Sequence, residues 1–312
     1  MFPDFLPSNT KQLVESTSID LAQSIQRQAI STPLSPQAIA TTYVNQGKGG
    51  TPILLLHGFD SSVLELRRLL PLLAQENETW AVDLLGFGFT DRMAGTPFSP
   101  NAIATHLYYF WKTLIRTPVI VVGASMGGAA AIDFTLTYPQ VVKQLVLIDS
   151  AGCTKAPPMG KFLFPPLGYL ATAFLANPKV RQSISRNAYY DKGLASEDAR
   201  ICAALHLEMP GWSQALIAFT KSGGYGDFGD KLAQISQPTL ILWGDHDQIL
   251  GTAAASKFKD AIGKAAPKAM GEAPLSAIAQ SQLIWIKDCG HVPHLEQAQV
   301  TAEHILEFAY NS

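Results

Sequence analysis

The sequence has few charged residues, few cysteines and no long hydrophobic run. Only 15% of the 312 residues are charged and the formal net charge is −2. No run of Lys and Arg is long enough to follow a phosphate backbone, so we expect no nucleic-acid partner. The three cysteines form no C-x-x-C pair, which argues against a disulfide framework or a zinc site and suits a reducing compartment.

No targeting or membrane-spanning signal is evident. The N-terminal "MFPDFLPSNTKQ" lacks a basic region followed by an apolar core, so we expect no signal peptide. No run of about 20 apolar residues predicts a transmembrane helix. The apolar stretch 162–176 is too short to span and contains Pro165 and Pro166. We therefore expect an intracellular protein on the cytoplasmic side.

Apolar runs alternate with amphipathic stretches along much of the chain. Runs such as "PILLLHG" are typical of strands that are buried on both faces. Strands are predicted at 52–58, 79–86, 118–122, 144–150, 239–244 and 282–288, and helices at 63–75, 100–116, 126–137, 194–208, 212–221 and, with a surface loop, within 254–280. The alternation predicts an α/β fold with a mostly parallel, doubly wound sheet.

The alternation stops over residues 151–236, where Pro, Gly and aromatic residues are frequent. We predict that 151–236 is a largely helical cap, or lid, inserted into an α/β core formed by 46–150 and 237–312. Residues 1–45 are predicted to form an N-terminal arm or leading helix, because 9–30 shows weak helical periodicity.

The stretch "GASMG" places a serine between a predicted strand and a predicted helix. Gly123, Ser125 and Gly127 satisfy the pattern G-x-S-x-G, which in this context predicts a nucleophile elbow. Small flanking residues let the strand and the helix approach closely while the serine hydroxyl projects above the sheet. The alternative is a glycine-rich helix start that binds a phosphate.

A serine nucleophile needs a base, and the base needs an orienting acid. "WGDHDQI" and "DCGHVPH" each follow a predicted strand, and the carboxyl ends of parallel strands meet at one edge of a sheet. Asp247 and His291 therefore lie in the order serine, acid, histidine that this architecture uses. We predict Ser125, Asp247 and His291 as the catalytic residues.

Other titratable residues near these strand ends leave alternatives open. Asp245 lies nearer the strand end than Asp247, and Asp149 ends the strand "LVLID". His294 falls on a predicted helix and is either an alternative base to His291, which is favoured, or a residue that hydrogen-bonds behind the site. His246 is expected to be a loop residue. Cys289 lacks an elbow of its own and is predicted to be a small buried apolar residue.

Acyl transfer also needs donors for the oxyanion. One is the backbone N–H of Met126, directly after the serine. The loop that follows the strand 52–58 supplies the other, with the N–H of Phe59 as the predicted donor. Neither a metal nor a cofactor is expected.

These motifs together resemble the α/β-hydrolase superfamily over about residues 50–310. Longer strings, "HGFDSSVLELRRLLPLL", "WAVDLLGFGFTD", "SGGY" and "DCGHVPHLE", resemble the chlorophyll dephytylase group in particular. The resemblance implies hydrolysis of the phytyl ester of chlorophyll to chlorophyllide and phytol. It assigns the family's serine, acid and base to Ser125, Asp247 and His291.

The apolar segment of the predicted cap is compatible with a long apolar ester. Phe162, Phe164, Leu167 and Phe174 are candidates to bind substrate. The same residues would suit peripheral contact with a photosynthetic (thylakoid) membrane, or a lid that packs on the core.

Other functions share these motifs. A general esterase or lipase and a hydrolase of C–C bonds both use the same triad, and composition does not separate them. From another class, an α/β-hydrolase fold also serves as a small-ligand receptor. The intact triad argues against a receptor.

Overall fold

One sheet organises the protein. The computed structural model describes residues 1–154, 166–262 and 281–310, and within them eight strands join in the order β1-β2-β4-β3-β5-β6-β7-β8. The strands are β1 (Gln26–Ile30), β2 (Ile39–Gln46), β3 (Ile53–Leu56), β4 (Thr79–Val82), β5 (Val119–Ala124), β6 (Val142–Ile148), β7 (Thr239–Gly244) and β8 (Ser281–Ile286). The pairings of β2 are antiparallel and the others are parallel. The predicted fold, a mostly parallel sheet within an α/β protein, is confirmed.

Helices cover both faces of this sheet. They are α1 (Ser16–Ser24), α2 (Leu70–Leu73), α3 (Pro100–Leu114), α4 (Met126–Thr137), α5 (Leu167–Ala176), α6 (Pro178–Ala188), α7 (Glu197–Ala204), α8 (Trp212–Lys221), α9 (Ala253–Ala261), α10 (Pro293–Glu296) and α11 (Ala298–Tyr310). Alternate residues of a strand enter two separate cores: Leu54 and Leu56 face one, Ile53 and Leu55 the other. Because both faces are covered, the central strands are continuous apolar runs.

The N-terminal prediction is wrong in part. A 3-10 turn at Ser8–Gln12 and α1 are helical, but Gln26–Ile30 is a strand that pairs with β2. Its sequence, QRQAI, lacks the alternation that indicates a strand because β1 is an exposed edge strand. Two strands of the sheet therefore begin before residue 46, inside the segment assigned to the arm.

The single helix predicted over 63–75 is also wrong. A 3-10 helix at Val63–Leu66 is followed by the short α2. Pro71 has no N–H to donate to the carbonyl of Arg67 and fits in the first turn of a helix, which favours a break just before α2.

Among the described residues between β6 and β7, where the cap is predicted, there are four α-helices, α5 to α8. The predicted helix 212–221 agrees with α8, whereas 194–208 divides into α7 and a 3-10 turn at Leu205–Glu208. Of the helix and loop predicted within 254–280, α9 is present, and residues 263–280 lie outside the described part. Among the described helices, none is both long and apolar enough to cross a bilayer.

Candidate active site

Ser125 stands at a sharp turn between β5 and α4. Its φ of 53° lies in the left-handed region, which a non-glycine residue rarely adopts. A Cβ on Gly123 would lie 2.2 Å from the carbonyl oxygen of Gly127, and one on Gly127 would lie 2.2 Å from that of Leu56. Only glycine fits at these two positions, so the chain can turn tightly and hold the serine above the sheet.

Backbone hydrogen bonds hold this turn against the neighbouring strand. The N–H of Ser125 donates to the carbonyl of Ile148 at 2.9 Å, and the N–H of Ala151 donates to the carbonyl of Ser125 at 3.0 Å. The strained conformation is thus fixed from both sides, as such conformations at functional sites require.

His291 bridges Ser125 and Asp247. Its Nε2 lies 2.9 Å from Ser125 Oγ, and its Nδ1 lies 3.0 Å from Asp247 Oδ2. A carboxylate can only accept, so the Nδ1 proton faces Asp247 and Nε2 is free to accept from the serine hydroxyl. The structure therefore brings together the three side chains named from the sequence, in the arrangement of a proton relay.

Asp247 is held by a turn of its own. Its Oδ1 accepts from the N–H groups of Ile249 (2.7 Å) and Leu250 (3.1 Å). Burial acts to raise the pKa of Asp247, but the hydrogen bond from His291 and these backbone donors hold it below its usual value. Asp247 is therefore ionised at neutral pH and suited to stabilise a protonated His291.

The two alternative acids occupy different positions. Asp245 accepts from His246 Nδ1 at 2.6 Å and from the N–H of Cys289 at 3.3 Å, away from the ring of His291. Asp149 is fully buried and accepts from the N–H of Gly244 at 3.1 Å. Burial, followed by the charge of Asp247, raises its pKa well above the usual value. Asp149 is therefore the neutral neighbour of an ionised acid.

Asp149, Asp247 and His291 are also the only cluster of metal-ligand type within the described residues. Their donor atoms lie within 4.8 Å of one another. His291 and Asp247 are engaged with each other, and a protonated carboxyl such as Asp149 is a poor ligand. This donor set suits proton transfer better than cation binding.

Met126 and Phe59, the predicted oxyanion donors, lie next to Ser125 in the chain and on a loop beside it, respectively. Met126 is the first residue of α4, so its N–H has no partner within the helix. Phe59 follows Gly58, at which a Cβ would lie 3.4 Å from the Cβ of Ser125. The loop that carries Phe59 therefore passes directly beside the serine.

A cavity of about 320 Å³ opens above Ser125 and His291. The cap contributes Leu175 from α5 and Ile184 from α6, and Leu295 adds to the apolar lining. Sequence reasoning missed several polar lining residues that carry no local pattern: Asp60, Glu65, Arg67, Arg181 and Tyr189. His294 also lines it, and its Nε2 lies 3.2 Å from Glu65 Oε1 rather than against Ser125.

The cap residues proposed for substrate binding do not line this cavity in the described residues. Leu167 and Phe174 are 44% and 64% exposed on α5, whereas Leu175 of the same helix faces inward. Phe162 and Phe164 lie outside the described residues. The two candidates on α5 lie on its outer face, because α5 is apolar on all sides and periodicity cannot orient it.

Cys289 is fully buried close to the site. Burial raises the pKa of its thiol far above the usual range, so it is not a nucleophile. This agrees with its predicted place as a small buried apolar residue.

Known proteins are similar to this chain in sequence and in fold. The model of the alpha/beta hydrolase family matches residues 53–304. The Arabidopsis thaliana "Alpha/beta hydrolase domain-containing protein VTE7" is 33% identical over 99% of this chain and 90% of its own length. "Lipase 1" of Psychrobacter immobilis is 25% identical over 85% and 78%. A meta-cleavage product hydrolase structure from Pseudomonas fluorescens has a TM-score of 0.71 at 20% identity, covering 90% of this chain and 96% of that one.

Proposed function

The chain belongs to the alpha/beta hydrolase family, and on this premise we propose that it is a serine hydrolase that cleaves a carboxylic ester. One observation carries the proposal. Ser125, His291 and Asp247 form a continuous hydrogen-bonded chain that faces a cavity lined by both apolar and polar residues. The similarity to Lipase 1 supports ester hydrolysis.

The geometry suggests how each group acts. His291 removes the proton of Ser125 as the hydroxyl attacks the ester carbonyl, and Asp247 stabilises the imidazolium that forms. The N–H groups of Phe59 and Met126 hold the oxyanion, each contributing about 10²–10³ in rate. His291 then gives its proton to the departing alcohol, and water attacks the acyl-enzyme with His291 as base. The sequence of steps requires no metal or cofactor.

Among carboxylic esters, we propose as substrate one with a long apolar alcohol, namely the phytyl ester of chlorophyll. The support is the resemblance of the motifs around Ser125 and His291 to the chlorophyll dephytylase group. The apolar side chains of Leu175, Ile184 and Leu295 suit an isoprenoid chain. The exposed apolar residues of α5, including Leu170 and Phe174, are suited to contact the membrane that holds such a substrate.

C–C bond hydrolysis is a second candidate. Arg67 is 2% exposed and lies on the cavity wall, where its guanidinium could bind the carboxylate of a diketone-like acid. The fold similarity to a meta-cleavage product hydrolase is compatible with this reaction.

Chlorophyll a, p-nitrophenyl butyrate and a ring-cleavage product should be compared as substrates for the purified protein. We expect chlorophyllide and phytol from chlorophyll, with loss of all turnover in Ser125→Ala. Ser150→Ala is the matched control, because Ser150 is a buried serine at the end of the neighbouring strand that does not contact His291. A fluorophosphonate should label the wild type and not Ser125→Ala. Full activity in Ser125→Ala contradicts the proposal, and labelling without turnover of any substrate favours the receptor alternative.

A further inference from the structure

Asp60 is a buried carboxylate that follows the proposed oxyanion donor, Phe59. It is 7% exposed, and its φ of 50° lies in the left-handed region. A buried, ionised and strained residue costs free energy unless several contacts compensate it. The contacts of Asp60 are therefore informative about what holds this loop in place.

Three donors reach the Asp60 carboxylate, and all three come from the cap. Arg181 Nη1 of α6 donates to Oδ2 at 2.7 Å. Trp212 Nε1 of α8 and His206 Nε2 lie 2.7 Å and 3.1 Å from Oδ1. Arg181 Nη2 also donates to the backbone carbonyl of Asp60 at 3.1 Å. A single cap arginine thus binds both the side chain and the main chain of this position.

The pKa shifts of Asp60 and His206 agree with these hydrogen bonds. Burial acts to raise the pKa of Asp60, but His206, Arg181 and Trp212 together lower it well below its usual value. Burial also lowers the pKa of His206. Asp60 is therefore ionised, and a neutral His206 must carry its proton on Nε2, since the carboxylate only accepts.

The other end of the loop is fixed by the core. The N–H of Gly58 donates to Glu65 Oε1 at 2.9 Å, and Glu65 in turn lies 3.2 Å from His294. Phe59 therefore lies between one anchor in the core and one in the cap. Its ring also packs near Phe219 of α8, with centroids 6.4 Å apart.

We propose that Asp60 is a positioning residue that couples the seating of the cap to the oxyanion hole. This inference rests on the proposed function of the same site. With the cap seated, Arg181, His206 and Trp212 hold Asp60, and the N–H of Phe59 stays beside Ser125. When the cap lifts, Asp60 loses these donors, and the loop is free to leave its left-handed conformation.

The consequence is that the cap gates the chemical step as well as access. A substrate whose acyl or alcohol chain fills the cavity holds the cap down and keeps the Phe59 donor in place. Part of the binding energy of the remote chain then appears as a higher kcat. A short ester, which leaves the cap free, is turned over more slowly.

The first test removes the contact between Arg181 of the cap and Asp60 of the loop and measures kcat. We expect Arg181→Met and Asp60→Asn each to lower kcat for p-nitrophenyl butyrate about tenfold, since a small misplacement near the reacting atoms is costly. The losses should not add fully in the double variant, because both single variants break the contact between the Arg181 guanidinium and the Asp60 carboxylate. The pH midpoint of kcat/KM should not move, because His291 and Asp247 are untouched.

Asp198→Asn is the matched control. Asp198 is another buried carboxylate of the cap, but it accepts from Ser18 and from the N–H groups of Val14 and Glu15, away from the 58–60 loop. We expect lower stability with unchanged kcat per folded molecule. Unchanged kcat in Arg181→Met, or losses that add in the double variant, overturns the coupling.

Hydrogen exchange decides the coupling independently of activity. In Arg181→Met, amides of the peptide 57–64 should exchange faster, while those of β5 and α4 stay protected. Unchanged exchange in 57–64 overturns the inference. If the wild type hydrolyses no ester, the proposed function fails, and the exchange result still stands for or against the coupling.

Discussion

The two walls of the active-site cavity are built differently. On the sheet side, Ser125, Asp247 and His291 follow the ends of β5, β7 and β8, and backbone atoms crowd Gly127 so closely that no side chain fits. On the cap side, α5 exposes apolar residues such as Phe174, and side-chain hydrogen bonds attach the cap to the core. Steric constraint therefore holds the turn at Ser125, whereas side-chain hydrogen bonds hold the cap on the core.

The largest expected effect is a difference in kcat between variants of Asp247 and Asp149, the two buried acids near the strand ends. Asp247→Asn should lower kcat about 10⁴-fold, because an amide cannot hold His291 in the required tautomer. Asp149→Asn should lower kcat only severalfold, since Asp149 is already neutral and an amide oxygen still accepts from the N–H of Gly244. Steady-state kinetics with p-nitrophenyl butyrate measure both. Equal losses of kcat in the two variants would show that Asp149 contributes as much as Asp247 to orienting and stabilising His291.

A steric prediction follows for the glycines. Gly127→Ala should lower the free energy of unfolding by about 3 kcal/mol or more, because its Cβ would meet the carbonyl oxygen of Leu56 at 2.2 Å. Gly193→Ala in the cap is the control: it is exposed and its Cβ would meet only the flexible end of Asp191, at 3.1 Å. We expect a change within about 1 kcal/mol there. Denaturant titration checks both, and equal effects would contradict the steric contrast.

A buried histidine on α3, outside the cavity, should also make the protein less stable in acid. His106 is fully buried beside Thr41, and burial lowers its pKa to about 4. Between pH 6.5 and 4, His106 is protonated in the unfolded chain but neutral in the native protein. The free energy of unfolding therefore falls as the pH falls through this window. In His106→Asn this fall should be smaller by about 3 kcal/mol at most.

The measurement is the free energy of unfolding at several pH values. His57, whose pKa burial also lowers to about 4, keeps part of the slope in the variant. A slope in His106→Asn as steep as in the wild type would show that His106 is protonated in the native state.

The smallest effect on stability is expected at the outer face of the cap. Leu170→Ser and Phe174→Ser should change the free energy of unfolding by less than about 0.5 kcal/mol, because both side chains are exposed. Turnover of chlorophyll in vesicles should fall severalfold, with hydrolysis of a soluble short ester unchanged. Val14→Ser, at an exposed position outside the cap, serves as control. Unchanged vesicle turnover would place membrane contact elsewhere.

Much of the fold could be predicted from local patterns. The apolar runs that became β3, β5 and β7 are strands buried on both faces, and such runs stand out in a sequence. Gln26–Ile30 was missed because an exposed edge strand carries no apolar run. The break near Pro71 was missed because apolar periodicity continued through it.

The candidate site divides in the same way. Ser125 and His291 were named from turns that directly follow strands, and the structure places their side chains 2.9 Å apart. Phe174 was misplaced because a helix that is apolar all round has no inner face in its sequence. The ester, and the phytyl ester in particular, remain predictions.

The sequence by itself determined the places along the chain of β3 to β8, the glycine-flanked turn at Ser125, and the presence of an acid and a histidine after later strands. These features depend on short segments whose neighbours are close along the chain. Only the tertiary structure decided that Asp247, among three aspartates near strand ends, faces His291. It also decided that Asp60 meets donors 121 to 152 residues away in the cap. Such contacts depend on how the cap packs on the core, and no local pattern encodes that packing.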